Sequence, residues 1–290
     1  MRAAQWQDYE LLDTLDGERL ERWGDVLLIR PDPQILWSGE KEDPRWGQAH
    51  ARYQRSSSGG GKWQNYKKVP PVWKIHWNGL TFRLKTMGFK HTGIFPEQAV
   101  NWEFAMEKIR QAGRPPEDPV RVLNLFGYTG AATLACMKAG AVVTHVDASK
   151  GMVQWARENA EASGIADRPV RWLVDDCLKF VQREQRRGRT YDGIIMDPPS
   201  YGRGPGGEVW KLEEQLYSLI GQCVPILTEK PLFFILNSYT TGLSPSVMEY
   251  LLGVQLQKRF GGKVSSDEIG LPVTSTGLVL PCGSTAIYEA

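Results

Sequence analysis

The spacing of apolar and polar positions changes character about 120 residues into the chain. Before that point the apolar runs are short and punctuated by turn signals. Asp-Gly and Pro-Asp-Pro divide residues 9–37 into short strands, Asp25 to Ile29 among them. Val72 to Trp77 and Leu80 to Lys85, joined at Asn78-Gly79, predict a β-hairpin. A helix is predicted over 97–111, closed by the Arg-Pro-Pro-Glu-Asp-Pro linker at 114–119. From Val120 onward, apolar runs at 120–125, 142–146, 170–174, 191–196 and 232–236 alternate with helical stretches such as 131–138 and 151–163. Alternation of this kind predicts an α/β fold with a parallel sheet covered on both faces. The last runs, 277–281 and 284–289, flank Cys282-Gly283, read as the tight turn of an antiparallel hairpin. The expected organisation is a small β-rich N-terminal domain over 1–90, a connecting segment and helix over 91–119, and the α/β domain over 120–290.

Composition narrows the class. Of the 290 residues, 41% are apolar and 23% charged, ordinary for a globular chain, and no apolar run reaches the length of a membrane span. The N-terminus lacks a basic head followed by an apolar core, so the expected location is cytoplasmic. The 4 cysteines lie far apart without metal-type spacing, so reduced thiols and no metal are expected. The net charge of +2 hides an asymmetry: from Pro44 to Pro96 there is no Asp or Glu, while Arg45, Arg52, Arg55, Lys62, Lys67, Lys68, Lys74, Arg83, Lys85 and Lys90 are all basic. Trp46, Tyr53, Trp63, Tyr66, Trp73, Trp77, Phe82 and Phe89 are interleaved with them. Cations neutralise phosphates and aromatic faces stack on unpaired bases, so stretch 45–90 is a candidate RNA surface. The alternative is a small β domain with a core of aromatics and solvated lysines.

The candidate chemistry lies where strands end, which is where ligands bind in open α/β sheets. Asn124 to Gly130, Asn-Leu-Phe-Gly-Tyr-Thr-Gly, combines glycines that permit close backbone approach with a helix N-terminus. Asp147 follows about 20 residues later, the spacing of an acid that accepts from ribose hydroxyls; helix capping is its other reading. The third strand ends at Asp175-Asp176-Cys177, where one carboxylate takes an adenine amino proton and the other caps a helix; Asp176 is taken as the adenine ligand. The fourth ends at Asp197-Pro198-Pro199-Ser200-Tyr201. Two prolines end a strand, but the acid, freed carbonyls and an aromatic together also make a cleft for a planar amino group. The glycine turn reads Gly-Tyr-Thr-Gly-Ala-Ala rather than Gly-x-Gly-x-x-Gly, which argues against a nicotinamide dehydrogenase.

These four motifs together resemble the class I S-adenosylmethionine-dependent methyltransferases, and among them the bacterial 23S rRNA cytosine-C5 methyltransferase group, without its PUA module. The resemblance runs from about Phe89 to the end, including His91 to Gln98, and a less characterised branch shares the region 9–33. It implies a Rossmann-like seven-stranded sheet with a C-terminal antiparallel hairpin. It also implies S-adenosylmethionine as cofactor, held by Phe126, Gly127, Tyr128 and Gly130 around its methionine part, Asp147 on the ribose and Asp176 on the adenine, with Phe95 and Gln98 closing over it. Asp197, Pro198, Pro199 and Tyr201 would face the methyl group and the acceptor. One departure bears on chemistry. The family's cysteine, at the end of the fifth strand or directly after Pro-Pro, is replaced by Asn237-Ser238-Tyr239 and Ser200. Cytosine C5 needs a thiolate adduct before it can attack, so nitrogen is the expected acceptor and RNA, ribosomal above all, the expected substrate. A protein side chain or a small molecule is the alternative substrate. A non-catalytic cofactor-binding regulator is the alternative of another class.

Overall fold

The computed structural model describes residues 2, 3, 5–56, 60–240 and 242–290; the Ser-Ser-Ser-Gly-Gly-Gly stretch at 56–61 has the composition of a flexible loop, and its centre lies outside the described residues. The chain divides into two units, one comprising Met1–Ala99 and Gly270–Cys282, the other Val100–Ile269 and Gly283–Ala290.

In the first unit, after the two-residue strand β1 (Arg2–Ala3), the strands β2 (Tyr9–Leu15), β3 (Glu18–Trp23), β4 (Val26–Pro31), β5 (Ala51–Arg55) and β6 (Gly61–Asn65) make a five-stranded sheet in the order β2-β3-β4-β5-β6. All its pairings are antiparallel except β4 with β5. Strands β7 (Trp73–Trp77) and β8 (Leu80–Leu84) form the predicted hairpin, with Trp77 opposite Leu80 and both turn residues, Asn78 at φ 46° and Gly79 at φ 64°, left-handed. Period-2 burial is clear in β7, where Trp73, Ile75 and Trp77 are buried and Lys74 and His76 are exposed. The unit also buries charge: Glu21 accepts two hydrogen bonds from Arg30, at 2.5 and 2.7 Å, and one from the Tyr9 hydroxyl at 2.8 Å.

In the second unit, α1 (Ala99–Gln111) precedes an α/β alternation: β9 (Arg121–Leu125), α2 (Ala131–Lys138), β10 (Val142–Asp147), α3 (Lys150–Ala162), β11 (Val170–Val174), α4 (Cys177–Arg186) and β12 (Gly193–Met196). A small antiparallel hairpin, β13 (Tyr201–Arg203) with β14 (Val209–Lys211), follows, then α5 (Leu212–Cys223), β15 (Phe233–Ser238), α6 (Pro245–Leu252), α7 (Lys258–Phe260), β16 (Lys263–Pro272) and β17 (Val279–Glu289). Seven strands lie in the order β16-β17-β15-β12-β9-β10-β11. The five from β15 to β11 are parallel, and β17 runs antiparallel to β15. Every residue of β12 and β15 is buried, as strands covered on both faces require.

The terminal hairpin is real but its turn is elsewhere. Cys282 and Gly283 lie inside β17, and the chain reverses over Val273–Leu278, where Val273 donates its N–H to the Leu278 carbonyl and Gly277 takes φ 69°. The apolar run was legible, but the residue able to take positive φ was the earlier glycine.

Candidate active site

The sheet reverses its order between β9 and β12, since β10 and β11 extend from one side of β9 and β12 and β15 from the other. That reversal opens a crevice at the carboxyl ends of the strands. Register fixes what lies there. Leu236, Met196, Leu125, Val146 and Leu173 stand side by side across the five strands. The next residue on each strand is therefore Asn237, Asp197, Phe126, Asp147 and Val174, so that three of the sequence motifs fall in one row.

The turn after β9 is held in an uncommon backbone form. Phe126 and Tyr128 have φ of 55° and 50°, and Gly130 has 85°. Non-glycine residues in the left-handed region are strained and persist where the surroundings over-determine them. Here the Gly127 N–H donates to the Val146 carbonyl at 3.0 Å and the Tyr128 N–H to Asp147 Oδ2 at 2.9 Å. The glycines have packing reasons beyond ligand approach. A Cβ on Gly127 would lie 2.4 Å from His145 Cε1, and one on Gly130 would lie 2.7 Å from the Ala156 Cβ. His145 is fully buried, its Nδ1 2.9 Å from the Thr133 hydroxyl, which accepts from Asn124 at 2.8 Å. Burial, aided by Arg157, depresses its pKa to about 3, so the imidazole beneath the turn is neutral.

Asp147 takes the Tyr128 N–H on one oxygen and the Ser149 N–H on the other, at 2.9 and 2.8 Å. Burial raises its pKa, and those two donors pull the other way. Helix α3 is capped by Ser149, whose hydroxyl accepts from Met152, so Asp147 is not the cap. The cap of α4 is Asp176 itself, the acid expected to meet the adenine, and not its neighbour: one oxygen accepts from the Lys179 N–H at 2.9 Å, while Asp175 is ion-paired with Arg183. Phe95 and Gln98 belong to the first unit, Gln98 buried in the 3-10 turn Pro96–Gln98.

After β12 the backbone turns through a half-buried Asp197, a buried Pro198 and an exposed Pro199 into Tyr201, which is 54% exposed. The return strand β14 and the first residue of α5 capture two carbonyls of this loop: Trp210 donates its indole N–H to Pro199 at 2.6 Å, and the Leu212 N–H reaches Ser200 at 3.0 Å. The Pro199 carbonyl is thus not left open, as the sequence suggested for the prolines. Trp210, which that reading passed over, is buried, and its ring centre lies 5.2 Å from that of Phe126. The available signal was Val-Trp-Lys after Pro-Gly-Gly, a tight reversal returning to the motif. At the hairpin tip Glu208 accepts from the Gly206 N–H at 2.9 Å and is ion-paired with Lys179 of α4.

No thiolate is prepared for attack. Burial pushes Cys136 up to about 12 and raises Cys177, Cys223 and Cys282 above the ordinary thiol range. At the end of β15, Asn237 accepts from Asn101 at 2.9 Å, and Asn101 accepts from the Thr285 hydroxyl at 3.2 Å, all three buried. Among the described residues no group of three or more His, Cys, Asp or Glu side chains is placed to hold a metal ion, and no helix is long and apolar enough to cross a membrane.

A strained glycine turn and two half-buried acids, Asp147 and Asp176, at the ends of the next two strands stand at the switch point of an α/β sheet of the methyltransferase class. The sequence profile of the S-adenosylmethionine-dependent methyltransferase family matches residues 43–226, and the chain belongs to that family. It is 38% identical to a SAM-dependent methyltransferase from Agrobacterium tumefaciens of known structure, covering 99% of this chain and 92% of that one with a TM-score of 0.93. It is 31% identical over 158 residues to ribosomal RNA large subunit methyltransferase I of Photobacterium profundum, 54% of this chain and 35% of that protein. It is 27% identical over 204 residues to ribosomal RNA large subunit methyltransferase K/L of Pseudoalteromonas atlantica, 58% of this chain and 27% of that protein. The chain therefore spans roughly a quarter to a third of the length of these curated relatives. The protein is a methyltransferase that uses S-adenosylmethionine.

Proposed function

We propose that the protein methylates RNA, ribosomal RNA in the first place, at a nitrogen atom. The observation that carries the choice of nitrogen is the row across the sheet. Asp197 stands between Phe126 and Asn237, and where a cysteine would serve C5 chemistry Asn237 is bound into a buried amide pair. A ring carbon that needs a covalent adduct finds no thiolate there, whereas an amine needs only its lone pair aligned. The site fits the cofactor on its own geometry. The strained turn Phe126–Gly130 would hold the methionine part, Asp147 the ribose hydroxyls and Asp176 the adenine amino group. S-adenosylmethionine supplies an electrophilic sulfonium methyl group. Asp197 would accept a hydrogen bond from the acceptor amine and stabilise the positive charge that grows on nitrogen, with Pro198, Pro199 and Tyr201 lining the approach.

RNA is supported by the names of the relatives and by the acid-free basic stretch 45–90, most of whose lysines are exposed. It is the reading that places the protein in the cytoplasm. One observation favours a protein or small-molecule substrate instead: Trp46, Tyr53, Trp73, Trp77 and Phe82 are buried, which leaves Tyr66 and Phe89, 50% and 48% exposed, as the open aromatic faces among the described residues of stretch 45–90. The two readings part in one experiment. Labelled methyl transfer is measured onto total RNA and total protein from a strain lacking this protein, followed by nuclease digestion of the RNA. Label in a nitrogen-methylated nucleoside is expected; label in protein, or in 5-methylcytosine, would replace this reading.

A further inference from the structure

We infer that Trp210 is a positioning residue that couples the cofactor turn to the acceptor loop. The inference rests on reading Asp197–Tyr201 as that loop. Two separate parts of one side chain make the two contacts. The indole N–H donates to the Pro199 carbonyl at 2.6 Å, and the ring lies 5.2 Å from Phe126 at an interplanar angle of 53°. Trp210 is only 8% exposed, and it sits opposite Gly202 in the β13–β14 pair.

Phe126 holds a left-handed backbone at the start of the cofactor turn, so its ring has few ways to move without moving the turn. Pro199 cannot donate to any ladder, and its carbonyl would otherwise face solvent or select its own partner. The indole fixes that carbonyl, and so the orientation of the peptide two bonds along from Asp197. Filling the turn therefore sets the loop through a single rigid aromatic group. The nearby Glu208–Lys179 pair is an exposed ion pair and adds little to this link.

The test separates ring from N–H. Trp210→Phe keeps an aromatic face and removes the donor; Trp210→Leu removes both; Trp210→Tyr is carried as a second donor-shifted variant. Hydrogen exchange of residues 200–211 is followed with and without S-adenosylhomocysteine, whose affinity is measured by calorimetry, alongside labelled transfer onto total RNA and total protein. In the wild-type protein S-adenosylhomocysteine is expected to slow exchange across 200–211. W210F is expected to bind it within about 3-fold of wild type, yet to lose most of that protection and about 10-fold in kcat, the effect of one buried hydrogen bond. W210L is expected to lose about 10-fold in affinity as well, through the missing aromatic contact. Unchanged protection in both W210F and W210Y, or W210F binding no better than W210L, would overturn the inference. A wild-type protein that labels neither pool refutes the transfer reading, while the exchange comparison still decides the role of Trp210.

Discussion

Tyr128 donates its main-chain N–H to Asp147 Oδ2 at 2.9 Å, from a backbone position at φ 50° that a tyrosine seldom adopts. The strained turn and the half-buried acid hold each other: the carboxylate gives the turn an acceptor, and the turn gives the carboxylate one of its two donors. What remains of the lone pairs on Asp147 is available to hydroxyl groups, since a carboxylate has about four acceptor positions.

The first prediction concerns pH. Burial raises the Asp147 pKa in the free protein, its two N–H donors opposing, and ribose hydroxyls need the charged form. Affinity for S-adenosylhomocysteine should therefore rise with pH through the Asp147 titration, above the usual carboxylate range, and then level off. Stability of the free protein has the opposite sign, because a raised folded pKa gives stability that is present at low pH and lost as pH rises through it. Asp147→Asn should weaken binding about 10- to 100-fold and flatten its pH dependence. Calorimetric titrations at a series of pH values check both, and a sloped profile surviving in the variant would remove the ribose assignment.

Asp197 should affect transfer and spare binding. Asp197→Ala is expected to lower kcat at least about 100-fold, as loss of an electrostatic group at the reacting centre does, with S-adenosylhomocysteine affinity within a few-fold. Ser200→Cys, which restores a thiol after Pro-Pro, is expected to give no 5-methylcytosine, because a thiol alone lacks the activated state C5 chemistry needs. Nucleoside analysis of labelled RNA reads out both variants.

The alternation of strands and helices after residue 120 was legible because a strand buried on both faces leaves a continuous apolar run, and β9, β10, β11 and β15 fall within a residue or two of expectation. Asn78-Gly79 was legible because both positions must be left-handed. Three things were not. Glycine after a strand signals freedom but not its use, and only the structure shows His145 filling the space over Gly127. Aromatics in a basic stretch look alike whether they stack on a base or on each other, and the structure puts Trp73 and Trp77 on one buried face of β7. For Trp210 the Pro-Gly-Gly reversal signals only that the chain returns to the motif, since its partners, Phe126 and the Pro199 carbonyl, meet it through tertiary packing.

The Gly127–His145 approach gives a double-mutant test. Gly127→Ala puts a methyl group 2.4 Å from the His145 ring, and a ring wedged between the turn and Trp172 cannot yield cheaply. A loss of about 1–3 kcal/mol is expected from such overpacking. His145→Ala is itself destabilising, but in the Gly127→Ala background it should cost less than in wild type, because it makes room for the added methyl. Urea unfolding of the four proteins gives the coupling; strictly additive losses would mean that the glycine serves the ligand side of the turn alone.

The last prediction lies in the first unit. Burial alone would raise the Glu21 pKa, but Arg19 and Arg30 outweigh it and bring it down to about 2. A lowered folded pKa gives stability that is present above the unfolded value of about 4.3 and lost as pH falls through that window. The cluster should therefore hold through mild acid and fail towards pH 2. Glu21→Gln removes the charge that two buried guanidinium groups share, and breaking a buried pair on one side costs about 3–5 kcal/mol. Tyr9 keeps a hydrogen-bond acceptor in this variant, so the loss measures charge rather than packing. Denaturant unfolding at neutral pH and at about pH 3 tests the sign: the gap between wild type and Glu21→Gln should narrow in acid, and a gap independent of pH would assign the stability of this cluster to shape rather than to its ion pairs.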